Sequence, residues 1–238
     1  MVTVIILLFC GILFLYEEAQ LMDWVNKIDR IVCFNLQKRT DRLLEFTEQA
    51  EKYEIPFERF NAIEDKQQGA RGLRDSMVTI FTESIAKEHK HVIIFEDDCD
   101  IIQVPILFHE TMNRVMEQIP ETYHMVFLGC QLTSRPSHFH SPNLIPVIKA
   151  FSTHAVMYSL QGMKEILSKP DFHTDKGYPI DNWMVEAIQP IGQTYCTYPL
   201  LCSQKDGISD IGGGQFMSWK PFIEGRFDQK IAEMGGGR

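Results

Sequence analysis

The decapeptide His91-Val92-Ile93-Ile94-Phe95-Glu96-Asp97-Asp98-Cys99-Asp100 constrains this chain more than any other stretch. HVIIF is a short apolar run and the strongest strand signal in the chain. Strands alternate with helices along the chain, so an α/β fold is expected. Four carboxylates, Glu96, Asp97, Asp98 and Asp100, then fall within five positions. Like charges this close repel, and their pKa values rise unless a cation compensates. Hard divalent ions such as Mn²⁺ or Mg²⁺ accept carboxylate oxygens, which makes Glu96, Asp98 and Asp100 candidate metal ligands. Alternation along an extended chain places Glu96 and Asp98 on one face and Asp97 on the other. In open α/β sheets ligands bind beyond the carboxyl ends of the strands, where this run lies. The plainer reading is a solvated acidic turn in which Asp97 or Asp100 caps the next helix.

The flanking sequence supplies the remaining layers. Residues 30–35 (RIVCFN) read as another buried strand and 40–53 as a helix capped by Thr40. Residues 56–62 read as a short strand and turn. A helix opens at Gly72 and carries Leu73, Met77, Phe81 and Ile85 at every fourth position. A helix follows over 104–118, with Pro105 tolerated in its first turn. Strands are expected at 124–128, 153–159 and 193–200, and helices at 161–168 and 181–188. The Ser-, Pro- and His-rich stretch 133–146 reads as a loop of functional length, suited to an acceptor-side lid.

Twenty-three basic and thirty-two acidic residues leave a net charge of −9. No dense basic run is present, so nucleic acid is not an expected partner. The six cysteines show no CxxC spacing and read as buried, reduced thiols, with Cys196 and Cys202 available to pair in an oxidising lumen. Residues 1–16 are uncharged and almost wholly apolar. They are short for a membrane span, which takes about 20 residues, and lack the basic start of a secretory signal. A short anchor, an extension outside the fold and a core element are the three readings. The expected location is cytoplasmic with membrane association through residues 2–16, a secretory-pathway lumen being the alternative.

Several motifs in order resemble glycosyltransferase family 25, which includes bacterial lipooligosaccharide and procollagen galactosyltransferases. Asn35-Leu36-Gln37-Lys38-Arg39-Thr40-Asp41-Arg42 is similar to that family's N-L-x-x-R-x-D-R opening. Gly69 to Met77 is similar to its G-x-x-G-C-x-x-S-H stretch, with Leu73 and Met77 in place of Cys and His. Val92 to Asp98 is similar to its strand ending in E-D-D. Gly129, Thr153 to Tyr158, Pro179-Ile180-Asp181, and Gln204 followed by Ser209 extend the match. The resemblance implies a GT-A fold, a Rossmann-like mixed sheet flanked by helices, occupying 21–225 between an apolar segment (1–20) and a flexible tail (226–238).

It also implies a UDP-sugar donor bound by Asn35, Leu36, Arg39, Arg42, Gly72, Ser76 and Asp97. Asn35 would lie near the base, and Arg39 and Arg42 would meet the diphosphate or pair with Asp. Galactose is the expected sugar, and a glycan, lipooligosaccharide or protein side chain the expected acceptor. If the transfer inverts, a carboxylate must accept the acceptor's proton. Asp181 is the first choice, with Asp175 and Glu186 behind it. His138, His140, His154 and Asp210 are candidates for a further metal contact, and core or loop roles are the plain alternative for the histidines. Trp183 leads Trp24 and Trp219 as a sugar platform. A catalytically silent nucleotide or glycan binder and an unrelated metal hydrolase are the competing functional readings.

Overall fold

The computed structural model describes residues 22–174, 179–211 and 215–235. In chain order its elements are α1 (Asp23–Lys27), β1 (Arg30–Asn35), α2 (Thr40–Lys52), β2 (Glu58–Asn61), α3 (Gly69–Ala86), β3 (His91–Glu96), β4 (Cys99–Ile101) and α4 (Pro105–Gln118). There follow β5 (Met125–Phe127), β6 (Gln131–Leu132), β7 (Leu144–Pro146), β8 (Ala150–Phe151), β9 (Ala155–Ser159), α5 (Leu160–Ser168) and α6 (Ile180–Ala187). The chain closes with β10 (Thr194–Thr197), β11 (Cys202–Gln204), β12 (Gly207–Ile208), β13 (Phe216–Met217) and α7 (Arg226–Gly235).

Seven strands form one mixed sheet in the order β2-β1-β3-β9-β5-β10-β7. β2, β1 and β3 run parallel, β9 is antiparallel to both β3 and β5, and β7 closes the far edge antiparallel to β10. The sheet is the α/β, Rossmann-like mixed sheet flanked by helices that the sequence implied. Its alternation divides the interior in two. Val92 and Ile94 of β3 pack with Ile80 and Phe81 of α3, Met163 of α5 and Met184 of α6. Ile93 and Phe95 pack on the other side with Trp24 of α1, Phe46 of α2 and Phe108 and Met112 of α4. Both faces of the central strand are dry, which is why HVIIF carries no polar alternation.

Several boundaries differ from expectation. α3 starts at Gly69, three residues before Gly72. Thr40 is the first helical residue of α2 and makes no side-chain cap; Arg39 occupies the capping position. The stretch 133–146 ends in β7, whose Leu144 and Ile145 are buried against β10. Its apolar end completes the sheet, so the stretch is not wholly a loop. The tail expected over 226–238 is helical through 226–235, where Phe227 is buried in the core. Residues 1–20 lie outside the described residues. Among the described residues no helix is long and apolar enough to cross a membrane.

Candidate active site

Parallel strands leave their carboxyl ends together, and β1, β2 and β3 open on one cavity of about 350 Å³. Leu36 lies just beyond β1, Ala62 to Gln67 beyond β2, and Glu96, Asp97 and Asp98 at the end of β3. Gly69, at the start of α3, and Ser209 to Ile211, from the β12–β13 connection, complete the wall. A second cavity of about 500 Å³ adjoins it, holding Asp181, Asn182, Phe151 and Trp219. Glu96, Leu73 and Gln204 belong to both walls, so Glu96 stands where the two chambers meet.

The acidic run is a turn between β3 and β4. Backbone bonds pin it: Glu96 N–H donates to His154 O at 2.9 Å and Asp97 N–H to Phe34 O at 3.1 Å. The turn breaks the alternation expected for an extended chain. Asp97 and Asp98, expected on opposite faces, share one donor: Arg42 Nη1 lies 3.1 Å from Asp97 Oδ1 and 3.0 Å from Asp98 Oδ2. Arg42 Nη2 donates to Ile208 O at 2.7 Å, tying the acids to the hairpin that roofs the cavity. β11 pairs antiparallel with β4 and brings Gln204 in, whose Nε2 donates to Asp98 Oδ2 at 3.1 Å. The other oxygen, Asp98 Oδ1, is buried without a hydrogen-bond partner. Asp100 leaves the group. It sits in β4 opposite Ser203, with Lys220 Nζ at 3.7 Å from its carboxylate, and lines neither chamber. Of the three residues expected as ligands, the structure brings Glu96 and Asp98 to the cavity wall and leaves Asp100 outside it.

Electrostatics follow from this crowding. Burial, then the charges of Asp98, Asp97 and Asp181, push the Glu96 carboxyl up to about 8, against a hydrogen bond from Thr153 that lowers it. Thr153 Oγ1 donates to Glu96 Oε1 at 2.7 Å. Burial also raises Asp97, with Asp98 adding to it and Asn35 and Arg42 opposing. Asp98 is raised by burial despite Arg42 and Gln204. Among the described residues the first cavity is lined by six carboxyls (Glu64, Asp65, Glu96, Asp97, Asp98, Asp210) and three cations (Lys38, Arg42, Lys66). An anionic ligand therefore needs further positive charge to enter it.

The other expected residues fall as follows. Asn35 is buried beneath the cavity, not in its wall: Nδ2 donates to Asp97 Oδ2 and Arg39 O, each at 2.8 Å, and Oδ1 accepts from Arg59. Arg39 is taken by Asp41 and Asp210, at 2.9 and 2.6 Å, and also lies outside the wall. Asp210 lines the cavity but is held by Arg39 and by Lys38, 3.1 Å away. Gly72 packs α3 onto the loop after β2; a Cβ there would lie 2.3 Å from Ile63 O. Ser76 Oγ accepts from Ile63 N–H at 2.8 Å and donates to Gly72 O, so these two residues shape the wall from behind. Leu73, where the resembling family has Cys, faces both chambers, whereas Met77, where it has His, is in the core.

Asp181, in the first turn of α6, lines the second chamber. Its Oδ2 accepts from Ser152 N–H at 3.0 Å and its Oδ1 from Asn182 N–H at 2.8 Å, which fixes its orientation. Glu186 is on the exposed side of α6 and lines neither chamber, and Asp175 lies outside the described residues. His154 is fully buried, and desolvation holds it down at about 4. His138 is exposed and His140 packs edge-on to Tyr195, away from both chambers. Trp24 is in the core. Trp183 is packed against Phe172 with its Nε1 donating to Asp171. The indole that lines the chamber is that of Trp219, whose backbone N–H donates to Asp206 Oδ1 at 2.6 Å. Ser152, Asn182 and Lys66 carried no local signal in the sequence; long-range packing brings them to the cleft.

The fold and site define a class: an α/β protein with a Rossmann-like mixed sheet and a two-chambered acidic cleft at its strand ends. No protein-family model matches the chain, and no curated protein matches it. Among solved structures it is similar to A197 from STIV, at 12% identity over 79% of this chain and 93% of that one, with a TM-score of 0.44. It is similar also to the mannose-1-phosphate geranyltransferase of Thermus thermophilus, at 8% identity over 70% of this chain and 58% of that one, with a TM-score of 0.43.

Proposed function

We propose that this chain is a glycosyltransferase of the family 25 type that moves a hexose, galactose by the motif resemblance, from a UDP-sugar to a hydroxyl acceptor. The observation that carries the reading is the pair of adjoining chambers with Glu96 in their common wall. Group transfer between two substrates needs two adjacent sites meeting at the reacting atoms. The donor would occupy the strand-end cavity and the acceptor the chamber of Asp181 and Trp219.

The residues present fit a divalent cation shared with the donor. Asp98 Oδ1 is buried and unpartnered, and the wall has more acids than bases. Among the described residues no group of three or more His, Cys, Asp or Glu is arranged to hold a metal by itself. Mg²⁺-type sites of one or two carboxylates, completed by substrate phosphates and water, need no such cage. Asp98 and Glu96 would hold the Mn²⁺ or Mg²⁺, which supplies positive charge to the leaving diphosphate. Asp181, its orientation set by two backbone N–H groups, takes the acceptor's proton. Trp219 offers an apolar face to a sugar ring.

The test is transfer from UDP-galactose, UDP-glucose and GDP-sugars, with and without Mn²⁺, in wild type, Asp98→Asn and Asp181→Asn. Metal-dependent turnover lost in both variants supports the reading. Full activity in Asp98→Asn removes the metal role assigned to it. UDP binding without turnover across the panel marks a silent binder, and phosphate-ester hydrolysis without sugar transfer marks a hydrolase.

A further inference from the structure

We infer that Lys66 is the side chain that meets the donor's phosphates in the strand-end cavity, an assignment that rests on the nucleotide-sugar reading above. Among the described residues the cavity wall has three cations, and two are committed. Lys38 Nζ lies 2.9 Å from Glu64 and 3.1 Å from Asp210. Arg42 bridges Asp97 and Asp98 and holds the carbonyl of Ile208. To turn toward a phosphate, Arg42 must leave two buried carboxylates uncompensated, which is costly. Lys66 is exposed and forms no ion pair among the described residues.

Its neighbours do not neutralise it. Asp65 spends one oxygen on the N–H groups of Gln67 and Gln68, each at 2.9 Å, and the other on Arg71. Glu64 is turned to Lys38. The loop is thus held in shape while the lysine at its tip stays available. Redirecting an exposed, unpaired ammonium breaks no existing bond, so it is the first cation a diphosphate meets. Gly69 follows in the same wall at the start of the 18-residue helix α3, whose positive end adds to the attraction. The motif resemblance, by contrast, points to Arg39 and Arg42 for this contact, and both are already paired.

The experiment is calorimetric titration of the full chain with UDP in the presence of Mn²⁺, at low and moderate salt, for wild type, Lys66→Met, Lys66→Arg and the remote Lys164→Met. Lys66→Met should weaken UDP binding about tenfold, the scale of one charge-assisted contact, and flatten its salt dependence. Lys66→Arg should restore both, and Lys164→Met should match wild type. Equal UDP affinity and salt dependence in wild type and Lys66→Met overturns the Lys66 assignment alone. Absence of UDP binding by wild type overturns the donor reading and the assignment with it.

Discussion

Replacing Glu96 with Gln removes one ionisable group from the junction of the two chambers and leaves its shape. Gln keeps an oxygen for the Thr153 hydroxyl, which donates to Glu96 Oε1 at 2.7 Å. The Glu96 carboxyl titrates near 8 in the folded chain against 4.5 as its ordinary value. Between those values the folded chain holds a proton that the unfolded chain has released. The stability contributed by this proton is therefore full below the unfolded pKa, falls as pH rises, and is gone above about 8. The full loss is roughly 3–5 kcal/mol, a large share of a typical folding free energy. Urea unfolding of wild type and Glu96→Gln at about pH 5, 7 and 9 measures it. The variant should gain on wild type steadily across that range, and the comparison cancels the opposite, acid-side contribution of His154. A cation held at Glu96 and Asp98 favours the ionised carboxylates, so added Mg²⁺ should stabilise wild type more near pH 8 than near pH 5. Parallel stability profiles for the two proteins would refute the reasoning.

Three further outcomes are expected. Arg42→Leu strands Asp97 and Asp98 without their shared donor and should cost about 3–5 kcal/mol at neutral pH in urea unfolding, recovered in part as acid protonates the pair. Gly72→Ala puts a methyl 2.3 Å from Ile63 O and 3.0 Å from Asp65 N, so it should cost about 1–3 kcal/mol in thermal unfolding and loosen the cavity's loop wall. Cys33, Cys99, Cys130, Cys196 and Cys202 are free and buried, and burial pushes the thiols of Cys33, Cys99 and Cys196 up. A thiol reagent should modify none of these five until the chain is denatured, as mapped by mass spectrometry.

Much of the fold was legible because its signals lie within contiguous windows. RIVCFN and HVIIF become β1 and β3, paired in parallel from Arg30 opposite Val92 to Phe34 opposite Glu96. An apolar run closed by carboxylates marks a strand end, so the location of a polar cleft was legible too. The helix register was less so. Gly72 reads as a helix start, yet it lies inside α3, because what its missing Cβ makes room for is the carbonyl of Ile63 across the cavity wall.

How the side chains of the cleft are paired was decided by tertiary structure. Asp98 meets Gln204 across the β4–β11 pair, Glu96 meets Thr153, and Asp181 meets the amide of Ser152. None of these separations leaves a periodicity to read. The two tryptophans make the point with one residue type. Trp183 neighbours Asp181 in sequence, but helix phase turns it into the core, while Trp219 reaches Asp181's chamber from the far end of the chain. Local sequence sets strand and helix because their hydrogen bonds and apolar stripes repeat over a few residues. Charge pairing and cavity walls depend on which distant segments pack together, and here that packing brought Arg42 to two carboxylates and left Asp100 outside.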